Sequence, residues 1–450
     1  MTASPGLRTG LRVMLTPVAA PPAKGSRFSR RRLLRAAGLL VLLGVLALVT
    51  LTGISYLRFR QHLSIARVEV DRGHNAAATQ HLLRCQALWF TTRETQILAA
   101  RVARRGGSWE EAEQILDDYS RRFGDENELV SERLMLNATR GDLTSAGPRL
   151  TAMVNEGHPD ARLAREAIVV GMLYRFRWAE AEQNVAAWLN AAPDDPLAWL
   201  LRGKLHEQRQ RAEEALQSYR KVLELDPDHD EARLRATTLL LQLRRSEELI
   251  GHLNVLRTRL PDLPEVQIQW VKALAMQGRT DESRAALGEC LRRFPDFAPA
   301  LLERGMIANQ AGDDRAAEEF FSRAVRLAPG DYTARTHYSV VLARNGKEAE
   351  AAREKNALRA LQADQERMDE LIAGPLQTRP NDPAVPHEIA LIALRSGQAD
   401  EGLRWLQNAL LADPNHGPTH QILANYYHAA GSPALAAKHR ALARQFGKRP

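Results

Sequence analysis

Six prolines stand 34 residues apart: Pro159, Pro193, Pro227, Pro261, Pro295 and Pro329. After a slip of 17 residues, Pro380 and Pro414 resume the interval. A fixed period of roughly 20–50 residues marks a repeat array, so this ladder constrains the fold more than any other feature. Other columns keep the same phase. Twelve residues before the prolines come Gly147, Ala181, Ala215, Leu249, Ser283, Ala317 and Gly402. Eight before them come Thr151, Val185, Tyr219, Leu253, Leu287, Phe321 and Leu406, and five before, Val154, Trp188, Val222, Leu256, Cys290, Ala324 and Ala409. Columns spaced by four and then three residues form one face of an α-helix. Proline ends that helix, because it has no N–H and its ring collides with the preceding turn.

Each period also holds an earlier helix. Trp199, Gly203, Ala215, Tyr219 and Pro227 give one clear instance, and Leu301, Gly305, Ala317, Phe321 and Pro329 repeat it. Gly278, Gly312, Gly346, Gly397 and Gly431 fall between the paired helices, where a left-handed residue turns the chain. In period, helix pairing and these columns the chain resembles the tetratricopeptide repeat. The resemblance implies an all-α, right-handed α-solenoid of about eleven helix pairs with a concave groove lined by the first helices. Repeats are expected from near residues 59, 93, 128, 162, 196, 230, 264, 298 and 332, filling 58–365. The first three and 332–365 depart most from the pattern, and 230–263 lacks the glycine turn. From Lys347 to Ile372 the sequence reads as one long helix, an extended solenoid helix with a solvated tip or, alternatively, an arm for a partner. Residues 366–382 are expected as helix extension and linker, and 383–450 as a semi-independent C-terminal pair.

Residues 36–57 carry no charge. At about 1.5 Å per residue such a helix crosses the ~30 Å hydrocarbon layer, so 33–57 is read as a transmembrane helix. A cleaved signal peptide is the alternative, but this apolar run is long for one and no Ala-x-Ala follows it. Ser29–Arg35 also resembles a twin-arginine export signal, although a plain basic flank accounts for it. Eight cations precede the span, which places the N-terminus in the cytoplasm and the repeats outside. The tail, 1–32, lacks an apolar face and is expected to be disordered, its cations available to anionic lipid at about 1 kcal/mol each.

The formal charge of +8 resides in residues 1–57, on seven cations of that tail and Arg35. Beyond residue 57 the chain balances 54 basic against 54 acidic residues, leaving no footprint for a phosphate backbone and hence no nucleic-acid partner. Cys85 and Cys290 are the only cysteines; they share one repeat column six repeats apart, which excludes a disulfide between them. No nucleophile elbow, phosphate loop or His-Glu-x-x-His motif occurs. His416, His420, His428 and His439 gather near the end without a carboxylate, and are read as surface or capping residues. No enzyme activity, cofactor or metal is therefore expected.

What remains is the groove. By the resemblance, its lining falls on Leu200, Lys204, Leu234, Thr238, Ile268, Lys272, Leu302, Met306, Asn309 and Thr336. Mostly apolar, these suit an apolar protein segment or extended peptide. The expected function is a non-catalytic, membrane-anchored scaffold that holds other proteins, as in cell-envelope assembly. One alternative is a regulatory subunit of an envelope enzyme or translocation complex; another is an exported soluble binding protein.

Overall fold

The computed structural model describes residues 30–447. The basic tail expected at 1–32 lies outside them, except that Arg30–Arg32 are helical. The described chain divides at Arg60 into two units. The first is the N-terminal part of helix α1 (Arg30–Arg72), which begins ahead of the expected residue 33 because arginine is a good helix former. Its most apolar stretch has a mean hydropathy of 2.5, and from Leu39 to Leu57 the large apolar side chains are exposed. Thr50 and Thr52 turn their hydroxyls back onto the carbonyls of Ala47 and Leu48, both at 2.8 Å, hiding two polar groups that lipid would not solvate. The helix is long and apolar enough to cross a membrane.

The second unit, from Gln61, is an all-α solenoid of paired helices. The helices after α1 are α2 (Asn75–Leu88), α3 (Arg93–Arg105), α4 (Trp109–Phe123), α5 (Asn127–Thr139), α6 (Gly147–Asn155), α7 (Ala161–Tyr174) and α8 (Trp178–Ala191). There follow α9 (Pro196–Gln208), α10 (Ala212–Leu225), α11 (Asp230–Gln242), α12 (Ser246–Arg259), α13 (Pro264–Met276), α14 (Thr280–Arg293), α15 (Ala298–Gln310) and α16 (Asp314–Leu327). The C-terminal part comprises α17 (Tyr332–Arg344), α18 (Glu348–Ala373), α19 (Pro375–Thr378), α20 (Ala384–Arg395), α21 (Ala399–Ala412), α22 (Gly417–Ala429) and α23 (Pro433–Phe446). From Pro193 to Pro329, and again at Pro380 and Pro414, each ladder proline sits two residues past the end of a helix.

The repeat columns are core. Ala215, Tyr219 and Val222 are fully buried on α10, as are Leu249, Leu253 and Leu256 on α12. Glycine in the first helix makes room for them: a Cβ on Gly203 would lie 2.4 Å from the Tyr219 ring, and one on Gly305, 2.6 Å from Phe321. In the 128–161 repeat the expected column shifts by one residue. Ala146 and Leu150 are buried there, not Gly147 and Thr151; α6 is short, ending at Asn155, four residues before Pro159, and followed by a Gly157 turn. The turn between paired helices takes a left-handed residue even where the sequence has no glycine. Phe176, Gln210 and Arg244 hold φ of 57°, 57° and 60° in the column filled elsewhere by Gly278, Gly312 and Gly346. Repeat 230–263 thus keeps the turn.

Two expectations for the C-terminal part are corrected. The end of α18 keeps a solvated face but is not a free tip: Glu366, Asp369 and Glu370 are exposed, while Leu371 is buried and Arg367 and Asp364 pair with Glu388 and Arg395 on α20. Nor are residues 366–382 a linker or 383–450 a separate pair. Leu371, Leu376, Val385, Ile389, Trp405 and Leu406 form one apolar cluster with Phe176 from the α7–α8 turn. A helix pair cannot bury its apolar face alone, and this one uses a surface more than two hundred residues away.

The inner face of the solenoid

On the inner face the first helices carry a charged network that joins repeats which are not neighbours. Arg104 Nε donates to Glu132 Oε1 at 2.7 Å, with both side chains 1% exposed, and Arg101 Nε donates to Glu132 Oε2 at 3.0 Å. Arg105 grips Glu166, two repeats on, through Nε at 2.7 Å and Nη2 at 2.6 Å. Burial would push the Glu166 carboxyl up, but Arg105 and Arg104 outweigh it and hold the group below its ordinary value. Arg162 clamps Asp195 with two bonds of 2.8 Å.

The corner between α1 and α2 rests on this face. Gly73, with φ of 84°, ends α1: its N–H donates to Val70 O at 3.0 Å, and His74 N donates to Glu69 O at 2.8 Å. That arrangement is a Schellman cap. The last carbonyls are then taken by the repeats. Arg105 Nη1 donates to Val70 O, and Arg162 Nη1 donates to Asp71 O at 2.8 Å. His74 lies between carboxylates, with Nδ1 2.7 Å from Glu69 Oε2 and Nε2 2.7 Å from Asp226 Oδ2. Its ring meets His229 edge-on at 5.5 Å.

The residues assigned to the groove from sequence do not share one environment. Leu200, Ile268 and Leu302, only 3%, 6% and 7% exposed, belong to the core, because stacked first helices bury that position against their neighbours. They cannot meet a partner, which corrects the expected lining. Lys204, Lys272 and Asn309 are engaged across repeats, with Glu231 at 2.7 Å, Glu303 at 3.2 Å and Arg344 respectively. Thr238 Oγ1 accepts from Gln269 Nε2 at 3.0 Å, and Leu234 lines a cavity beside the α1–α2 corner. Met306 is half-buried against the core around Phe321.

The remaining residue, Thr336, marks a different surface. With Tyr332 and Val340 it stands at i, i+4 and i+8 on α17, and those two apolar side chains are 52% and 47% exposed. Among the described residues no other helix of the second unit exposes two large apolar side chains. Sequence reasoning reached Thr336 but missed the α1–α2 corner, whose only signal was a histidine at an inter-helix turn.

Glu231 gives the inner face a measurable acid response. Burial alone would raise its pKa, but Lys204, and Arg235 Nε at 3.0 Å, bring it down to about 2. A carboxyl lowered on folding adds stability above its ordinary value near 4.5 and loses it as pH falls toward about 2. Urea midpoints measured between pH 6 and about 2.5 are expected to fall less steeply in Glu231→Gln than in the wild type.

At the C-terminal end His420 Nδ1 lies 3.0 Å from His439 Nδ1, and the His387 and His416 rings are 5.2 Å apart. Burial, with His416 adding to it, lowers the pKa of His387 to about 4. Among the described residues no three ligating side chains gather to hold a metal ion.

Two stretches of the sequence, 196–229 and 268–332, match tetratricopeptide repeat families. These two stretches are tetratricopeptide repeats. Among curated proteins none matches the chain. Solved structures that share the repeat fold include PilW, a widely conserved type IV pilus biogenesis factor, at 20% identity and a TM-score of 0.37 over 44% of this chain and 91% of that one. The APC/C hetero-tetramer Cut9-Hcn1 aligns at 15% identity and a TM-score of 0.34 over 94% of this chain and 95% of that one. A tetratricopeptide repeat protein from Parabacteroides merdae ATCC 43184 gives 18% and 0.36 over 56% and 98%. These likenesses are of fold alone. Tetratricopeptide repeat solenoids generally bind other proteins and are typically non-catalytic.

Proposed function

We propose that this protein is a non-catalytic scaffold anchored in a membrane by α1, and that it holds an apolar segment of another protein against α17. The exposed strip of Tyr332 and Val340 carries this reading: a solenoid that buries its other first helices leaves these side chains to water at a cost of about 25 cal/mol per Å² of apolar surface. The exposed leucines of α1 and the cations before it support an anchor with the N-terminus in the cytoplasm and the repeats outside. Contact of the basic tail with anionic lipid belongs to the same reading, as does a place in cell-envelope assembly.

The test is a tagged pull-down from mild-detergent membranes, comparing the wild type with Tyr332→Glu/Val340→Glu. A near-stoichiometric protein lost from the double variant, whose helicity and melting are unchanged, is the expected result. Retention of that protein by the double variant overturns the reading.

A further inference from the structure

The inner face of repeats 93–263 is not open. The end of α1 crosses it, and the contacts are those of a ligand in a receptor. A helix C-terminus carries partial negative charge on its last carbonyls. Here Arg105 takes the Val70 carbonyl and Arg162 takes that of Asp71, from first helices two repeats apart. His74, the second residue past the helix, spans to Asp226, 152 residues further along the chain. We infer that residues 69–77 are a built-in ligand of this face, an autoinhibitory contact that closes repeats 93–263 to any partner until it is displaced. The inference concerns a surface separate from the α17 strip, and its test needs no partner.

The fit is incomplete in a way that suits release. A cavity of about 300 Å³ remains between the corner and α11–α12, lined among others by Gly73, Asn75, His229, Leu234 and Leu260. His229 is 1% exposed, and burial pushes its pKa down, so the ring is neutral. Its Nδ1 accepts from Ala232 N at 3.3 Å, which leaves the proton on Nε2. That Nε2 is buried and has no hydrogen-bond partner, and neither has Asn75 Oδ1. Both residues line the cavity, so the corner leaves polar groups at this seam unmatched. A competing helix end that also brought an acceptor to His229 would satisfy more of the site than the corner does.

His74→Glu sets a carboxylate against Asp226 and Glu69, and so expels the corner while leaving Arg105, Arg162 and Asp226 in place. The probe is a fluorescent peptide of residues 61–77 with the native sequence, titrated against full-length chain in detergent micelles. Expected is saturable binding to the His74→Glu chain at least tenfold tighter than to the wild type, whose site is filled. Arg162→Ala added to that variant is expected to remove most of the gain. Equal affinity for the two chains, or binding to neither, overturns the inference. Should His74→Glu disturb folding, judged by hydrogen exchange in repeats 264–346, His74→Ala serves for the same comparison. A negative result here leaves the α17 strip untouched, and a failed pull-down leaves the latch untouched.

Discussion

Trp405→Ala is expected to open the C-terminal end of the solenoid, residues 383–446. Trp405 is buried, stacks on Phe176 with ring centroids 4.4 Å apart at 11°, and donates from Nε1 to Glu401 at 2.7 Å. The Arg404 guanidinium lies 5.3 Å from the Phe176 ring centre, and Tyr174 Oη donates to Arg404 O at 3.0 Å. Truncating a buried tryptophan costs about 3–5 kcal/mol. In a repeat array that loss falls on the local units, not on the whole chain. Hydrogen exchange is therefore expected to quicken across 383–446 while 196–263 stays protected. Substitutions at Phe176 sharpen the prediction. Its left-handed backbone costs a β-carbon-bearing residue roughly 1–2 kcal/mol. Phe176→Gly loses the ring but sheds that strain, while Phe176→Ala loses the ring and keeps it. Glycine is expected to be the less damaging substitution by roughly 1 kcal/mol, the reverse of its usual rank in a helix. Alanine less damaging than glycine in urea unfolding would mean that the left-handed turn stores no strain at Phe176.

The proline ladder made the fold legible because a period is a local signal repeated many times: Ala215, Tyr219 and Val222 read as core from spacing alone, and they are core. What could not be read is contact between distant turns of the superhelix. Phe176 occupies a column filled elsewhere by glycine, an anomaly visible in the sequence, but its partner 229 residues away depends on how far each repeat rotates against the next. The groove lining failed for a related reason. Leu200, Ile268 and Leu302 are apolar at first-helix positions whether those positions face solvent or a neighbouring helix, and here they face neighbours. Thr336 occupies that column on α17, and Val340, one turn on in the column of Lys204, Lys272 and Met306, remains exposed.

The buried Arg104–Glu132 pair separates charge from stability. Glu132→Ala is expected to cost about 3–5 kcal/mol, because Arg104 and Arg101 both lose their carboxylate while Arg104 stays buried. Burial disfavours a charged Arg104, and Glu132, with Glu166 and Asp160 behind it, reverses that. The pair is nevertheless not optimal, since Arg104 Nη2 is buried without a partner. Two charges taken out of water are repaid only when every donor and acceptor is matched. The double substitution Arg104→Met/Glu132→Leu is therefore expected to be neutral or up to about 2 kcal/mol more stable in urea unfolding, although each half alone destabilises. If the double variant is as weak as Glu132→Ala, the pair contributes net stability in its own right. If it is stable, the charges must be retained for something other than stability. Arg105, one residue along α3 from this pair, holds both Glu166 and the end of α1. Peptide 61–77 titrated against the double variant carrying His74→Glu then distinguishes the two roles. Undiminished affinity confines Arg104 and Glu132 to packing, whereas a tenfold loss makes them the support that aims Arg105.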